Sequence, residues 1–177
     1  GRFRNIGRYV KKIKLRHNSV KEIYVSSDIL DTEFLISLPK FKTHELTILS
    51  IAVKNQFGII PGGLKPKLHF QCPTLNDFCR LLIGIYNIRK PDLIIVDALN
   101  ILDARGRIYK LNKLIAGNDA WAVDYVCCLF ANLKPEASPL MRIAIKEKLF
   151  DPDQIEIIGG FTPIKKFAKP ISIPIKN

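Results

Sequence analysis

Three cationic side chains, Lys40, Lys42 and His44, fall two residues apart around Phe41 and Thr43. In an extended segment the side-chain period is two, so all three would leave the backbone on one side and form a cationic pocket. Lysine binds phosphate or carboxylate as a point charge, and a histidine near neutral pH donates a hydrogen bond or shuttles a proton. The same alternation on an edge strand also keeps a sheet from pairing with another chain, so the pattern has a structural reading beside the ligand one. Lys54 and Asn55 follow an apolar stretch, where they either complete a helix C-terminus or meet a ligand. Lys65, Lys67 and His69 repeat the period-two pattern beyond Pro61-Gly62-Gly63. As a flexible loop they would close over an anion or remain in solvent.

Asp97 ends the apolar run that starts at Leu93 and is expected at the carboxyl end of a buried strand. A carboxylate there orients a histidine, acts as a base or simply caps a turn. His44 and Asp97 are therefore the candidate catalytic residues. Lys40, Lys42, Thr43, His44, Lys54, Asn55 and His69 are the candidate ligand contacts. Asp119 and Asp124 lie about 140° apart around a helix, too far for a tight carboxylate pair. Asp119 is expected as a cap, Asp124 as the partner of a nearby Lys or Arg, and Trp121 in the core. Dinucleotide, Walker, nucleophile-elbow and zincin motifs are missing, so hydride transfer, P-loop hydrolysis, serine hydrolysis and zincin chemistry have no sequence support.

The elements that must position these residues alternate between strand and helix patterns. Residues 20–26 and 33–38 read as strands with an acidic turn over 28–31 between them, and 46–57 as a helical stripe. Glycines and prolines then predict a loop as far as Cys72. Thr74 and Asp77 form a capping-box variant ahead of a clear amphipathic helix, and residues 92–97 are a continuous apolar run suited to a buried parallel strand. A short strand over 113–116, a helix from Ala120 to about Leu133, a helix from Ser138-Pro139 to near Phe150 and a strand over 154–158 follow. The order predicts an α/β fold, a mostly parallel sheet with flanking helices in three layers. Residues 1–177 read as one domain with a basic arm at 1–19 and an extended tail at 163–177, either complete or part of a longer protein.

Lys+Arg of 28 against Asp+Glu of 16 gives a net charge of +12, which favours phosphate, carboxylate or nucleic-acid partners. Much of it sits in residues 1–22, where Arg2, Arg4, Arg8, Lys11, Lys12, Lys14, Arg16 and Lys21 face only Glu22. Cys72, Cys79, Cys127 and Cys128 lack the spacing of a zinc or iron–sulfur site, so no metal is expected on this chain. The expected location is cytoplasmic with no membrane partner, since no apolar run reaches the ~18 residues of a spanning helix.

The runs Leu38-Pro39-Lys40-Phe41-Lys42-Thr43-His44 and Ala52-Val53-Lys54-Asn55-Gln56-Phe57-Gly58 are followed by His69 and the strand ending at Asp97. With Ala116-Gly117-Asn118-Asp119-Ala120-Trp121-Ala122-Val123-Asp124 they resemble, in order and spacing, the domain-of-unknown-function 362 family across residues 20–160. The resemblance implies an uncharacterised prokaryotic α/β protein. Family members often carry 4Fe–4S clusters in a separate ferredoxin-like module, whose cysteine run this chain lacks, and usually have an upstream α/β half. The leading expectation is a domain that binds an anionic small molecule at the Lys/His cluster, with redox association and a ferredoxin-like partner following from the resemblance. A nucleic-acid-binding module using the basic arm and a non-catalytic accessory subunit are the alternatives.

Overall fold

The computed structural model describes residues 2–170. Two sheets organise them. In the first, β1 (Val10–Lys14) pairs antiparallel with β2 (Glu22–Ser26), from Val10 opposite Ser26 to Lys14 opposite Glu22. The segment expected as a basic arm thus contains a strand. Its lysines face solvent while Ile13 packs beside buried Ile23 and Val25, a periodicity that the density of charge conceals in the sequence. The acidic turn is one short helix, α1 (Ser27–Leu30).

The second sheet is built around a long central strand. β3 (Ile36–Ser37) and β4 (Lys40–His44) lie in line along one edge of β6 (Leu93–Leu102), both parallel to it. β5 (Ile48–Ser50) pairs antiparallel outside β4, and β7 (Ile108–Gly117) antiparallel along the other edge of β6. This is a mixed sheet with flanking helices, the α/β architecture expected. The strand expected over 33–38 shortens to β3, because Phe34 and Leu38 are exposed and Pro39 offers no N–H to the ladder. β6 runs five residues beyond Asp97, placing that carboxylate mid-strand rather than at a carboxyl end. Its hairpin with β7 turns at Asp103, whose Oδ1 accepts from the Arg105 and Arg107 amides at 2.8 and 2.9 Å, with Gly106 at φ +76°.

The single helix expected over 46–57 is instead β5, then α2 (Ala52–Asn55), then a 3-10 turn at Gln56–Ile59. Local side-chain hydrogen bonds win there. His44 Nδ1 accepts from the Leu46 and Thr47 amides at 3.1 and 3.4 Å, and Thr47 Oγ1 donates to the Leu49 carbonyl at 2.7 Å. Ile48 then takes φ +66°, a strained region for a β-branched residue. The expected loop to Cys72 contains another helix, α3 (Lys65–Gln71), with Pro66 in the first turn, where its missing N–H breaks no helical bond.

Three helices follow their sequence caps. α4 (Leu75–Ile88) starts from Thr74, whose Oγ1 accepts from Asp77 N at 3.1 Å. α5 (Ala120–Phe130) starts from Asp119, which accepts from Trp121 N at 2.7 Å, and α6 (Pro139–Lys146) starts from Ser138. Their inner faces, with Phe78, Leu82, Ile85, Trp121 and Met141, form one buried cluster with Ile94, Val96 and Ile101 of β6 and with Phe41. Burying each large side chain contributes about 1.5–3 kcal/mol. On the opposite face Ile36, Leu38, Leu114 and Ile108 remain 48, 69, 64 and 66 % exposed, so the described helices cover one side of the sheet there, two layers instead of the three expected. No strand forms over 154–158, where the 3-10 turn Pro152–Gln154 runs into irregular chain. Of the expected tail, residues 163–170 are irregular, and 171–177 lie outside the described residues.

Candidate functional site

The site forms where β4, α2, the following 3-10 turn, α3 and α4 meet. α2 is only one turn long, and its N-terminus is fixed from a distance. Asp124 of α5, fully in the core, accepts from Ala52 N at 2.7 Å and from Val53 N at 3.2 Å. The sequence suggested a Lys or Arg partner for Asp124; the structure gives it two backbone amides instead. Burial pushes its carboxyl up to about 7 against the pull of those hydrogen bonds. At the other end of α2, Asn55 Nδ2 donates to Ser37 Oγ of β3 at 2.9 Å.

Lys54 lies between these anchors. It is 9 % exposed, and among the described residues it has no carboxylate partner and no side-chain hydrogen bond. Its ammonium sits 5.8 Å from the Phe57 ring centroid and 5.9 Å from that of Phe78, within cation–π range. Burial, then the charges of Lys42 and Lys65, lower it to about 8. A fall from 10.5 to about 8 means that holding the charge there costs on the order of 3 kcal/mol.

α3 supplies the opposite wall. A period of two means one side of a strand, but on a helix residues four apart share a face. Lys65 and His69 therefore meet the aromatic cluster, His69 with part of its ring still exposed, and Lys67 faces solvent. Lys65 Nζ is 5.5 Å from the Phe57 centroid, while the His69 ring meets Phe57 edge-on at 5.7 Å and stacks on Phe78 at 4.1 Å. Burial and the Lys54 charge lower His69.

β4 contributes unevenly. A register shift separates Lys40 from Lys42. Lys40 Nζ donates to Asp97 Oδ2 at 2.8 Å, and that bond with the one from Leu99 N holds Asp97 below the usual carboxylate range. Lys40 and Asp97 thus satisfy each other as cross-strand neighbours. Thr43 Oγ1 points to the Leu102 carbonyl at 3.4 Å. Burial, then the charges of Lys54, His69 and Lys42, push His44 down to about 4. Since His44 Nδ1 accepts two amides, the neutral ring carries its proton on Nε2 and presents a donor. Lys54, Lys65 and His69 make a cationic, aromatic-lined site suited to a phosphate or carboxylate, with Lys42 and His44 near enough for charge to couple them, while His44 also borders a cavity with Thr43, Glu45 and Asp103.

The sequence reading passed over a second cluster. His17, Cys72 and Asp77 bring one ligand atom each within 4.8 Å of one another. His17 Nδ1 accepts from Ser19 N at 3.2 Å and Val20 N at 3.0 Å, so its proton sits on Nε2, 2.9 Å from the Asp77 carbonyl oxygen. Ser19 Oγ also donates to the Asp77 carboxylate. These bonds join the first sheet to α4, and a metal at Nε2 would have to expel that proton. Thr74-x-x-Asp77 marked one member, but nothing in the sequence linked His17 to it. Cys72 and Cys79 are buried thiols that burial pushes up to about 11 and about 12, far from thiolate reactivity.

A mixed α/β sheet with a cationic site of this make-up is the class the fold defines. The family described as domain of unknown function (DUF362) matches residues 4–129, and the chain belongs to that family. It is also 29 % identical over 137 residues to a thylakoid-associated protein of Synechocystis, a match covering 75 % of this chain and 42 % of the relative. The chain thus spans about two fifths of that relative's length. No solved structure matches. No helix among the described residues is long and apolar enough to cross a membrane.

Proposed function

We propose that this chain binds an anionic small molecule, carrying a phosphate or carboxylate group, at Lys42, His44, Lys54, Lys65 and His69. The observation that carries this reading is Lys54, a lysine only 9 % exposed, whose stem is buried and whose ammonium has no carboxylate partner among the described residues. An uncompensated charge at that depth opposes folding, and a bound anion would supply the missing counter-charge. The neutral His44 and the flanking Lys42 add a donor and a second cation.

The nucleic-acid alternative loses ground to ion pairs in the basic arm. Arg4 binds Asp28 at 3.2 Å, Lys11 binds Asp31 at 2.7 Å and Lys12 pairs with Glu22, so part of that charge is already met. Redox association and a ferredoxin-like partner remain proposals for the whole protein, as does any association with a membrane system carried over from the relative's name. Four free cysteines favour a cytoplasmic location.

Inorganic phosphate tests the reading directly. A ligand that binds only the folded state at a hundredfold excess over its dissociation constant contributes about 2.7 kcal/mol. Thermal melts in phosphate, against chloride at equal ionic strength, should show a higher Tm. Equal melting in both salts would sink the anion site.

A further inference from the structure

Lys54 is placed to do more than hold a counter-ion. A lysine becomes a nucleophile when an apolar pocket or a neighbouring cation favours its neutral amine, and both conditions meet here. Phe57 and Phe78 wall the side chain at 5.8 and 5.9 Å, the outer edge of cation–π range, and Lys54 forms no ion pair with a carboxylate among the described residues. The titratable groups acting on it are Lys42, Lys65 and the thiol of Cys79, with His44 and His69 in turn feeling its charge. None of these is a carboxylate that would keep the amine protonated.

We propose that Lys54 captures a carbonyl compound bearing an anionic group, forming an imine at its Nζ while Lys42 and Lys65 hold the anionic group. The inference rests on the anion-binding reading above. The amine lone pair attacks the carbonyl carbon, a C–N bond forms and the C=O π electrons move to oxygen. Both amine hydrogens then leave with that oxygen as water, and the nitrogen lone pair closes the C=N bond. His69 is the group able to relay those protons, while His44 donates a hydrogen bond through Nε2 to the departing oxygen. A 2-oxo acid is the simplest compound with both features, a carbonyl next to a carboxylate.

The test is reductive trapping on the full chain. Pyruvate and cyanoborohydride are added at neutral pH, and adducts are located by intact mass and peptide mapping. Lys54 should be labelled about tenfold faster, or more, than exposed lysines such as Lys67, as expected for an amine lowered from 10.5 to about 8. Phosphate should slow labelling at Lys54 alone, and Lys54→Arg, verified as folded by circular dichroism, should lose that adduct. Labelling spread evenly over the lysines would overturn the proposal even if phosphate raises the Tm, and the anion reading would then stand without it. Acetone labelling Lys54 as fast as pyruvate does, with no protection by phosphate, would overturn the anionic half of the proposal together with the reading beneath it. Because Lys54→Arg could perturb folding, Lys65→Met provides an independent arm. It should slow pyruvate labelling of Lys54 and leave acetone labelling unchanged, and equal rates in the two proteins would remove Lys65 from the site.

Discussion

Asp124 accepts a 2.7 Å hydrogen bond from the backbone amide of Ala52, seventy-two residues earlier in the chain. Its other oxygen takes the Val53 amide at 3.2 Å. One carboxylate on α5 thereby starts α2 and sets where Lys54 emerges one residue later. A one-turn helix has little stability of its own, so this distant acceptor is what holds it.

Asp124→Ala should therefore cost more than its exposed area suggests. Leaving buried amides without a partner costs about 1–3 kcal/mol each, and urea unfolding should show a loss of about 2–4 kcal/mol. Asp124→Asn, which keeps one acceptor, should lose less. A change within ~0.5 kcal/mol for the alanine variant would mean that the bonds do not support the fold.

Acid acts on His44. Its folded value of about 4 lies below the ordinary 6.5, so the unfolded chain binds the proton first and His44's contribution to stability falls as pH drops from 6.5 toward 4. Asp124 opposes this, since a carboxyl raised from 3.8 to about 7 loses its contribution as pH rises across that interval. His44→Asn, which can still accept the Leu46 amide, isolates the first effect. The Tm gap between it and the parent should narrow as pH falls through that window, and a constant gap would contradict the depressed histidine.

Lys42→Ala should abolish most of the phosphate-induced rise in Tm while leaving the unliganded protein equally or slightly more stable. Lys42 is exposed and its charge opposes that of Lys54, so its loss relieves the empty site. Unfolding of the variant with an unaltered phosphate response would make this lysine structural.

Gly117 ends β7 beside α5, and a Cβ built there would stand 2.9 Å from Val123 Cγ2. Valine has little rotamer freedom on a helix, so Gly117→Ala should destabilise by about 1–3 kcal/mol. Adding Val123→Ala should return part of that loss, giving a less-than-additive double mutant in chemical denaturation.

Binding to random DNA, measured by fluorescence anisotropy, should be weak and fall steeply between low and moderate salt, since it would rest on phosphate contacts alone. Sequence-selective binding that survives moderate salt would favour the basic-arm reading over the anion site.

Local chemistry made much of the fold legible. Thr74, Asp119 and Ser138 announced α4, α5 and α6, because an N-cap oxygen needs only amides two or three residues away. The apolar run before Asp97 announced the central strand, and the Lys/His cluster drew attention to β4, α2 and α3. Pairing partners were another matter. The β6–β7 hairpin, the shift that sends Lys40 to Asp97 and the Asp124 bonds to α2 each join residues far apart in sequence, which no local pattern encodes. The helix pattern over 46–57 failed because His44 and Thr47 bind nearby backbone groups and turn the chain before a helix can propagate. The sequence by itself settled which residues are cationic, which segments are apolar and where three helices begin. Only the tertiary structure decided that Lys54 would be buried against Phe57 and Phe78 without a counter-charge, because burial is a property of what packs around a residue and not of the residue itself.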